Sequence, residues 1–232
     1  MTDQKTSSSF FKKNQVNFIV LISLLNYFCI HFFVLPGSAA CAAFYDDGWM
    51  SIVTMVMIGV NSSIIVWLLC GSKTKKEVLT YISMLIVNQV YAFREADFHK
   101  AFTEQYDVSS VTKLKFYLQE GIPIIAKIIP AVILTIFAIA AGILLFYYGI
   151  KIVKEFFKGN PSAIAFSLWG GLLLISQIFD RMRILYESSS WRIRSIEEMC
   201  EVSSSVFGVV AMILFIIAYK INNKKLVCDS EK

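Results

Sequence analysis

The stretch VLTYISMLIVNQVYAFREADFHK, residues 78–100, decides the fold, because an apolar run in it passes directly into a charged one. No proline or glycine separates the two parts, which predicts one helix through both. Residues three or four apart share a helix face, so Glu95 would lie beside His99 and Arg94 beside Asp97. The pattern predicts an acid, an imidazole and a permanent cation at one end of a hydrophobic helix.

The rest of the chain is also rich in long apolar blocks. Hydrophobic residues make up 56% of the 232 residues, and the mean hydropathy is +0.63, whereas a soluble domain is typically about 45–50% apolar. We therefore predict an all-α polytopic membrane protein, a bundle of transmembrane helices. The net charge of +5 comes from basic residues dispersed between the blocks, which does not indicate a nucleic-acid partner. The five cysteines show no CxxC spacing typical of zinc or redox sites.

A membrane-spanning helix needs about 20 predominantly apolar residues, and six blocks come close to that length. The predicted spans are approximately residues 16–35, 49–69, 78–99, 123–150, 163–180 and 197–219. They form a single transmembrane domain, residues 16–220, with tails at 1–15 and 221–232. The polar connector before the fourth span contains Phe116-Tyr117-Leu118, which favours a short interfacial helix.

The first block admits a second interpretation as a cleaved signal peptide. Lysines precede it, and the small residues Ser38-Ala39-Ala40-Cys41 that follow it are typical of a cleavage site. The block is longer than the usual hydrophobic region of about 7–15 residues, which favours an uncleaved span. Cleavage would leave five spans in the same orientation.

Lysine and arginine are sorted to opposite sides of this topology. Thirteen lysines fall in the tails and in the loops on the side of the termini, whereas all five arginines fall on the other side. The positive-inside rule places the lysine side and both termini in the cytoplasm, and we predict a bacterial inner membrane. The arginines alternate with carboxylates, which is typical of fixed pairs because a guanidinium binds carboxylate or phosphate in a bidentate manner.

Three charged segments are predicted to meet on the outer side, at the ends of the third, fifth and sixth spans. Helix rise gives roughly 27 Å from Glu77 to Glu95 and roughly 28 Å from Lys220 to Glu201, close to a hydrocarbon core of about 30 Å. Charges at that depth usually face the bundle interior and pair with one another. The predicted binding residues are Arg94, Glu95, Asp97, His99, Asp180, Arg181, Arg183, Glu197, Glu198 and Glu201.

This charged pocket supports three functional hypotheses. The first is a non-enzymatic protein that binds or passes a lipid, an ion or a membrane-protein partner, with arginines binding anionic groups such as an anionic lipid. The second is a membrane-embedded enzyme that uses a divalent metal to act on a lipid at the outer leaflet. Its predicted metal ligands are Glu95, His99, Glu198 and Glu201, and its predicted catalytic base is Asp97 or Asp180. The third is a structural or assembly subunit whose charges only lock helices together.

Polar and small residues inside the spans predict helix packing. Asn61-Ser62-Ser63 lies at mid-span, which predicts hydrogen bonds between helices. Gly170-Gly171, Gly142 and Gly149 predict close helix approach. The sequence contains no GxSxG, phosphate-binding loop or HExxH motif, so the common hydrolase and nucleotide chemistries have no support in it.

Overall fold

The computed structural model describes residues 13–29, 49–96, 103, 106, 111, 114–185 and 191–230. Over this part of the chain the all-α prediction is confirmed, because no strand occurs in it. The described helices are α1 (Gln15–Cys29), α2 (Trp49–Cys70), α3 (Lys75–Glu95), α4 (Leu114–Leu118), α5 (Ile124–Leu144), α6 (Ile150–Phe157), α7 (Pro161–Leu185) and α8 (Trp191–Ser230). A π-helical segment, Leu145–Gly149, joins α5 to α6.

Four of the described helical stretches are long and apolar enough to cross a membrane, as expected of a membrane protein. They are Met50–Cys70, Ile124–Phe157, Pro161–Phe179 and Ser195–Ala218, which match the second, fourth, fifth and sixth predicted spans. α1 contributes only a shorter apolar stretch, Gln15–Asn26, and the remainder of the first predicted span lies outside the described residues. α3 is not among the four, and its buried residues are the polar Thr80, Ser83 and Asn88. The count of six spans stays a prediction.

The chain divides into two compact units. Unit 1 consists of Met1–Met57 and Ile150–Lys232, and unit 2 consists of Ile58–Gly149. In unit 1, α7 packs along α8, and α1 packs against both helices. Their shared core is formed by Ala165, Phe207 and Ala211, with Trp169 among the side chains packed against it. Small residues at the centre of this core let the helix backbones approach one another.

α8 is much longer than a membrane crossing requires. Its 40 residues give a length of about 60 Å, roughly twice the thickness of a hydrocarbon core. The sixth predicted span stops at Tyr219, whereas the helix continues to Ser230. The residues after Tyr219 include lysines and no proline or glycine, so nothing in the sequence breaks the helix there.

The turn from α6 to α7 is built from local hydrogen bonds. Gly159 has a φ of 72°, and its N–H donates to the Phe156 carbonyl at 2.9 Å while the Asn160 N–H donates to the Glu155 carbonyl at 3.0 Å. This pair of bonds is the Schellman motif that ends a helix. Asn160 then caps α7, since its Oδ1 accepts from the Ser162 N–H at 3.0 Å, and Pro161 occupies the first helical position.

In unit 2, α3 packs against α5 and begins with a capping box. Thr74 Oγ1 accepts from the Glu77 N–H at 3.2 Å, and Glu77 Oε2 accepts from the N–H groups of Lys73 and Thr74 at 2.9 and 3.1 Å. The hydrogen bond from the Lys73 N–H is the largest cause, followed by that from the Thr74 N–H, of a Glu77 pKa below its ordinary value, because both bonds stabilise the charged carboxylate. One turn further on, the Thr80 hydroxyl donates to the Lys76 carbonyl, so the Tyr148 hydroxyl, 3.0 Å away, is the donor to Thr80.

The predicted hydrogen bonds between helices at Asn61 and Ser62 are confirmed. Asn61 Nδ2 donates to Asn88 Oδ1 at 3.2 Å, and Asn88 Nδ2 donates to Ser62 Oγ at 2.8 Å and to the Ile58 carbonyl at 3.0 Å. Gln89 Nε2 also donates to Ser62 Oγ, at 2.8 Å. Ser63 makes no such contact among the described residues, because its hydroxyl bonds to the Gly59 carbonyl of its own helix. The network therefore joins α2 to α3 within unit 2.

Two other predictions met different outcomes. The short helix around Phe116-Tyr117-Leu118 is confirmed as α4, and Phe116 is fully buried against Val111 and Ile122. Among the described residues, the glycines do not show the predicted close helix approach. Apart from the backbone of their own helix, these residues place no atom within 4 Å of a Cβ built at Gly142, Gly170 or Gly171, and the neighbour at Gly149 is a leucine side chain of the preceding turn at 3.9 Å.

Candidate functional site

Three of the acids that the sequence predicts as binding residues are buried near the beginning of α8. Glu197, Glu198 and Glu201 expose only 6%, 7% and 4% of their surfaces. Glu198 and Glu201 are three apart on the helix and share a face. Carboxylate oxygens of these two residues lie within 4.8 Å of each other. The predicted proximity of Glu198 and Glu201 is therefore present in unit 1.

A serine of the neighbouring helix fixes the orientation of Glu201. Ser176 of α7 is fully buried, and its Oγ donates to Glu201 Oε1 at 2.6 Å. A hydrogen bond from a hydroxyl to an ionised carboxylate is short and about twice as strong as one between neutral groups. Ser176 was missed in the sequence. No local pattern marks it, because only the packing of α7 on α8 selects which serine lies against the acid.

Further serines line α8 below the acids. Ser203, Ser204 and Ser205 are all buried. Ser204 Oγ donates to the Trp169 carbonyl of α7 at 2.9 Å, whereas Ser205 Oγ bonds within its own helix to the carbonyls of Glu201 and Val202. These bonds satisfy the hydroxyls of Ser204 and Ser205. Both residues are three or four positions after Glu201 and therefore share its face of the helix.

Glu198 and Glu201 are close enough for two charged carboxylates to repel each other. Two carboxylates within 4.8 Å repel each other, and burial strengthens that repulsion because it removes the screening by water. A guanidinium, a metal cation or a proton can offset the repulsion. Each of these partners corresponds to a different function for the same residues.

The end of α3 differs from its prediction. The helix ends at Glu95, and Ala96 follows as its C-cap with φ −79° and ψ 10°. The single helix through residue 99 that would align Glu95 with His99 is therefore not present. Arg94 and Glu95 are half-buried in the last turn of α3, and Asp97 and His99 lie outside the described residues.

The remaining predicted residues lie at the end of α7. Asp180, Arg181 and Arg183 belong to its final turns, but their side chains lie outside the described part of the chain. The structure thus brings the carboxylates of Glu198 and Glu201 together, buries Glu197 on the same helix and adds Ser176. The participation of Arg94, Glu95, Asp97, His99, Asp180, Arg181 and Arg183 stays a prediction.

Comparison with protein-family models, with curated proteins and with solved structures found no match to this chain. A shared helical architecture would not in any case determine a function, which depends on the residues of a site. What the protein does is therefore inferred from its own buried acids.

Proposed function

We propose that this chain is an inner-membrane protein with six spans and cytoplasmic termini that binds a cation at the acids of α8. The observation that carries the proposal is the burial of Glu198 and Glu201 with their oxygens within 4.8 Å. Buried carboxylates of this kind are paired with one another only when a positive charge or a proton lies among them. A cation is the partner that also gives the site a function.

The chemistry of the donors favours a hard divalent cation. Carboxylate and hydroxyl oxygens suit Mg²⁺, Ca²⁺ and Mn²⁺. Ser176 supplies the outer contact that orients a ligating carboxylate, since it donates to Glu201. From helix depth alone, the sequence adds Glu95 as a further candidate ligand.

The test is Mn²⁺ binding to the purified protein, measured by electron paramagnetic resonance. We expect the wild type to bind one Mn²⁺, and Glu198→Gln and Glu201→Gln each to weaken binding by about tenfold or more, because each removes a charged ligand. Glu120→Gln is the matched control, since Glu120 is an exposed acid. Glu95→Gln tests the additional ligand separately.

A structural role for the same acids is the second candidate, favoured by the hydrogen bond from Ser176 to Glu201. In that case the bond serves only to hold α7 on α8. Thermal denaturation with and without Mn²⁺ separates the two accounts. A bound cation raises the Tm of the wild type, and at the same Mn²⁺ concentration it raises that of Glu198→Gln by less. If Mn²⁺ shifts neither Tm and the wild type binds none, the cation proposal is wrong and the structural role remains.

A further inference from the structure

Unit 1 contains an open cleft between α1, α6 and α7. The residues that line it do not include the α8 acids. Its volume is about 320 Å³, and its walls are apolar apart from two asparagines. Phe18 and Leu21 of α1 face it, as do Phe156 and Phe157 at the end of α6. Phe157 is 81% exposed, which is typical of a surface that contacts lipid.

The two asparagines attach α1 to the turn between α6 and α7. Asn14 Nδ2 donates to the Gly159 carbonyl at 3.2 Å, and Asn17 Nδ2 donates to the Pro161 carbonyl at 2.8 Å. These carbonyls accept only from an N–H, so the orientation of both amides is fixed. Asn17 is only 3% exposed. In this orientation its Oδ1 atom is buried and has no hydrogen-bond donor among the described residues.

Several exposed lysines are close in sequence to the residues that line the cleft. Lys13 precedes Asn14, and α6 with its turn contributes Lys151, Lys154 and Lys158 against a single acid, Glu155. Lys158 pairs with Glu155 at 2.8 Å and keeps 70% of its side chain exposed. Exposed lysines beside aromatic residues are typical of protein segments at an anionic membrane surface.

We propose that this cleft binds a phospholipid with an anionic, hydroxyl-bearing headgroup. An acyl chain lies along the apolar wall of Phe18, Leu21 and Phe157. A headgroup hydroxyl donates to Asn17 Oδ1, and the lysines attract the phosphate. A phospholipid is the one class of molecule that combines these features at a membrane boundary. The inference rests on membrane insertion and does not depend on the cation site or on the outer arginines.

The test is lipid titration of the purified, detergent-solubilised protein, followed by native mass spectrometry. Three lipids with identical acyl chains separate the contributions: phosphatidylglycerol, phosphatidylmethanol and phosphatidylcholine. We expect phosphatidylglycerol to bind at least about fivefold more tightly than the zwitterionic phosphatidylcholine, since one lysine near a headgroup of net negative charge contributes about 1 kcal/mol. Phosphatidylmethanol, which has the same single negative charge but no headgroup hydroxyl, should bind with intermediate affinity.

Two matched variants locate the binding. Leu21→Trp fills the cleft and should abolish the preference for phosphatidylglycerol, whereas Leu25→Trp, one turn further on the same helix and outside the lining, should keep it. Asn17→Ala should make phosphatidylglycerol and phosphatidylmethanol bind equally, and its Tm checks that the fold is intact. Equal binding of all three lipids, or equal effects of the two tryptophans, would mean adventitious boundary lipid only and would overturn the proposal.

Discussion

Ser176 shows how one hydroxyl orients a buried carboxylate. It is fully buried on α7, and its hydroxyl donates to the Glu201 carboxylate of α8. The carboxylate would otherwise lose its water on folding without gaining a donor from this side. A single side chain thus couples the packing of two helices to the energetics of the acids.

We predict that Ser176→Ala destabilises the protein by about 1–3 kcal/mol, because it removes a donor to a buried charged acceptor. Thermal denaturation of the purified variant measures the effect. Ser63→Ala is the matched control, since the Ser63 hydroxyl is exposed and bonds only to the Gly59 carbonyl of its own helix. Equal Tm shifts for the two variants would show that the bond to Glu201 contributes nothing specific.

At the scale of single residues, the sequence predicted the acids better than their partners. Glu198 and Glu201 could be placed together because helix periodicity alone puts them on one face. Ser176 and Asn17 could not be recognised in the same way, because serine and asparagine occur throughout the chain and only tertiary packing selects which of them is buried.

Helices were predicted well in their interiors and poorly at their ends. α2 and α7 follow from apolar runs of sufficient length, which depend only on local composition. The end of α3 at Glu95 differs from the predicted one, because no proline or glycine in the sequence marks it. The turn at Gly159 carries a complete stop and start signal, with glycine, asparagine and proline in succession.

Two glycine-to-alanine variants should change stability in opposite directions. Gly159→Ala should cost about 1 kcal/mol, because a φ of 72° is unfavourable for a residue with a Cβ atom. Gly170→Ala should stabilise by about 0.5–1 kcal/mol, since Gly170 is inside α7 and alanine is the better helix former there. Thermal denaturation of both variants checks this pair, and destabilisation by Gly170→Ala would reveal a close packing partner at that face.

At the scale of the whole molecule, composition was sufficient to predict a helical membrane protein. The four long apolar stretches support that class. The number of spans is harder to predict, because α3 buries Thr80, Ser83 and Asn88 and its polar side lowers the mean hydropathy. Polar groups that are satisfied between helices, as Asn88 is, do not prevent membrane insertion.

The predicted topology can be tested by cysteine labelling of intact cells in a cysteine-free background. We expect Asp107→Cys to react with a membrane-impermeant maleimide and Ser72→Cys to react only after the membrane is permeabilised, because the lysine-rich loops are retained inside. Reaction at Ser72→Cys alone would reverse the orientation. It would place the tails outside while leaving the helices as described.

The length of α8 has a mechanical consequence. Glu201 and the far end at Ser230 belong to one uninterrupted rod, about 43 Å apart along its axis. If the helix stays straight, a tilt of about 10° around the acids would swing the tip sideways by roughly 7 Å. A rearrangement at the acids that tilts the helix therefore displaces its lysine-bearing end by a larger distance, and no hinge is needed.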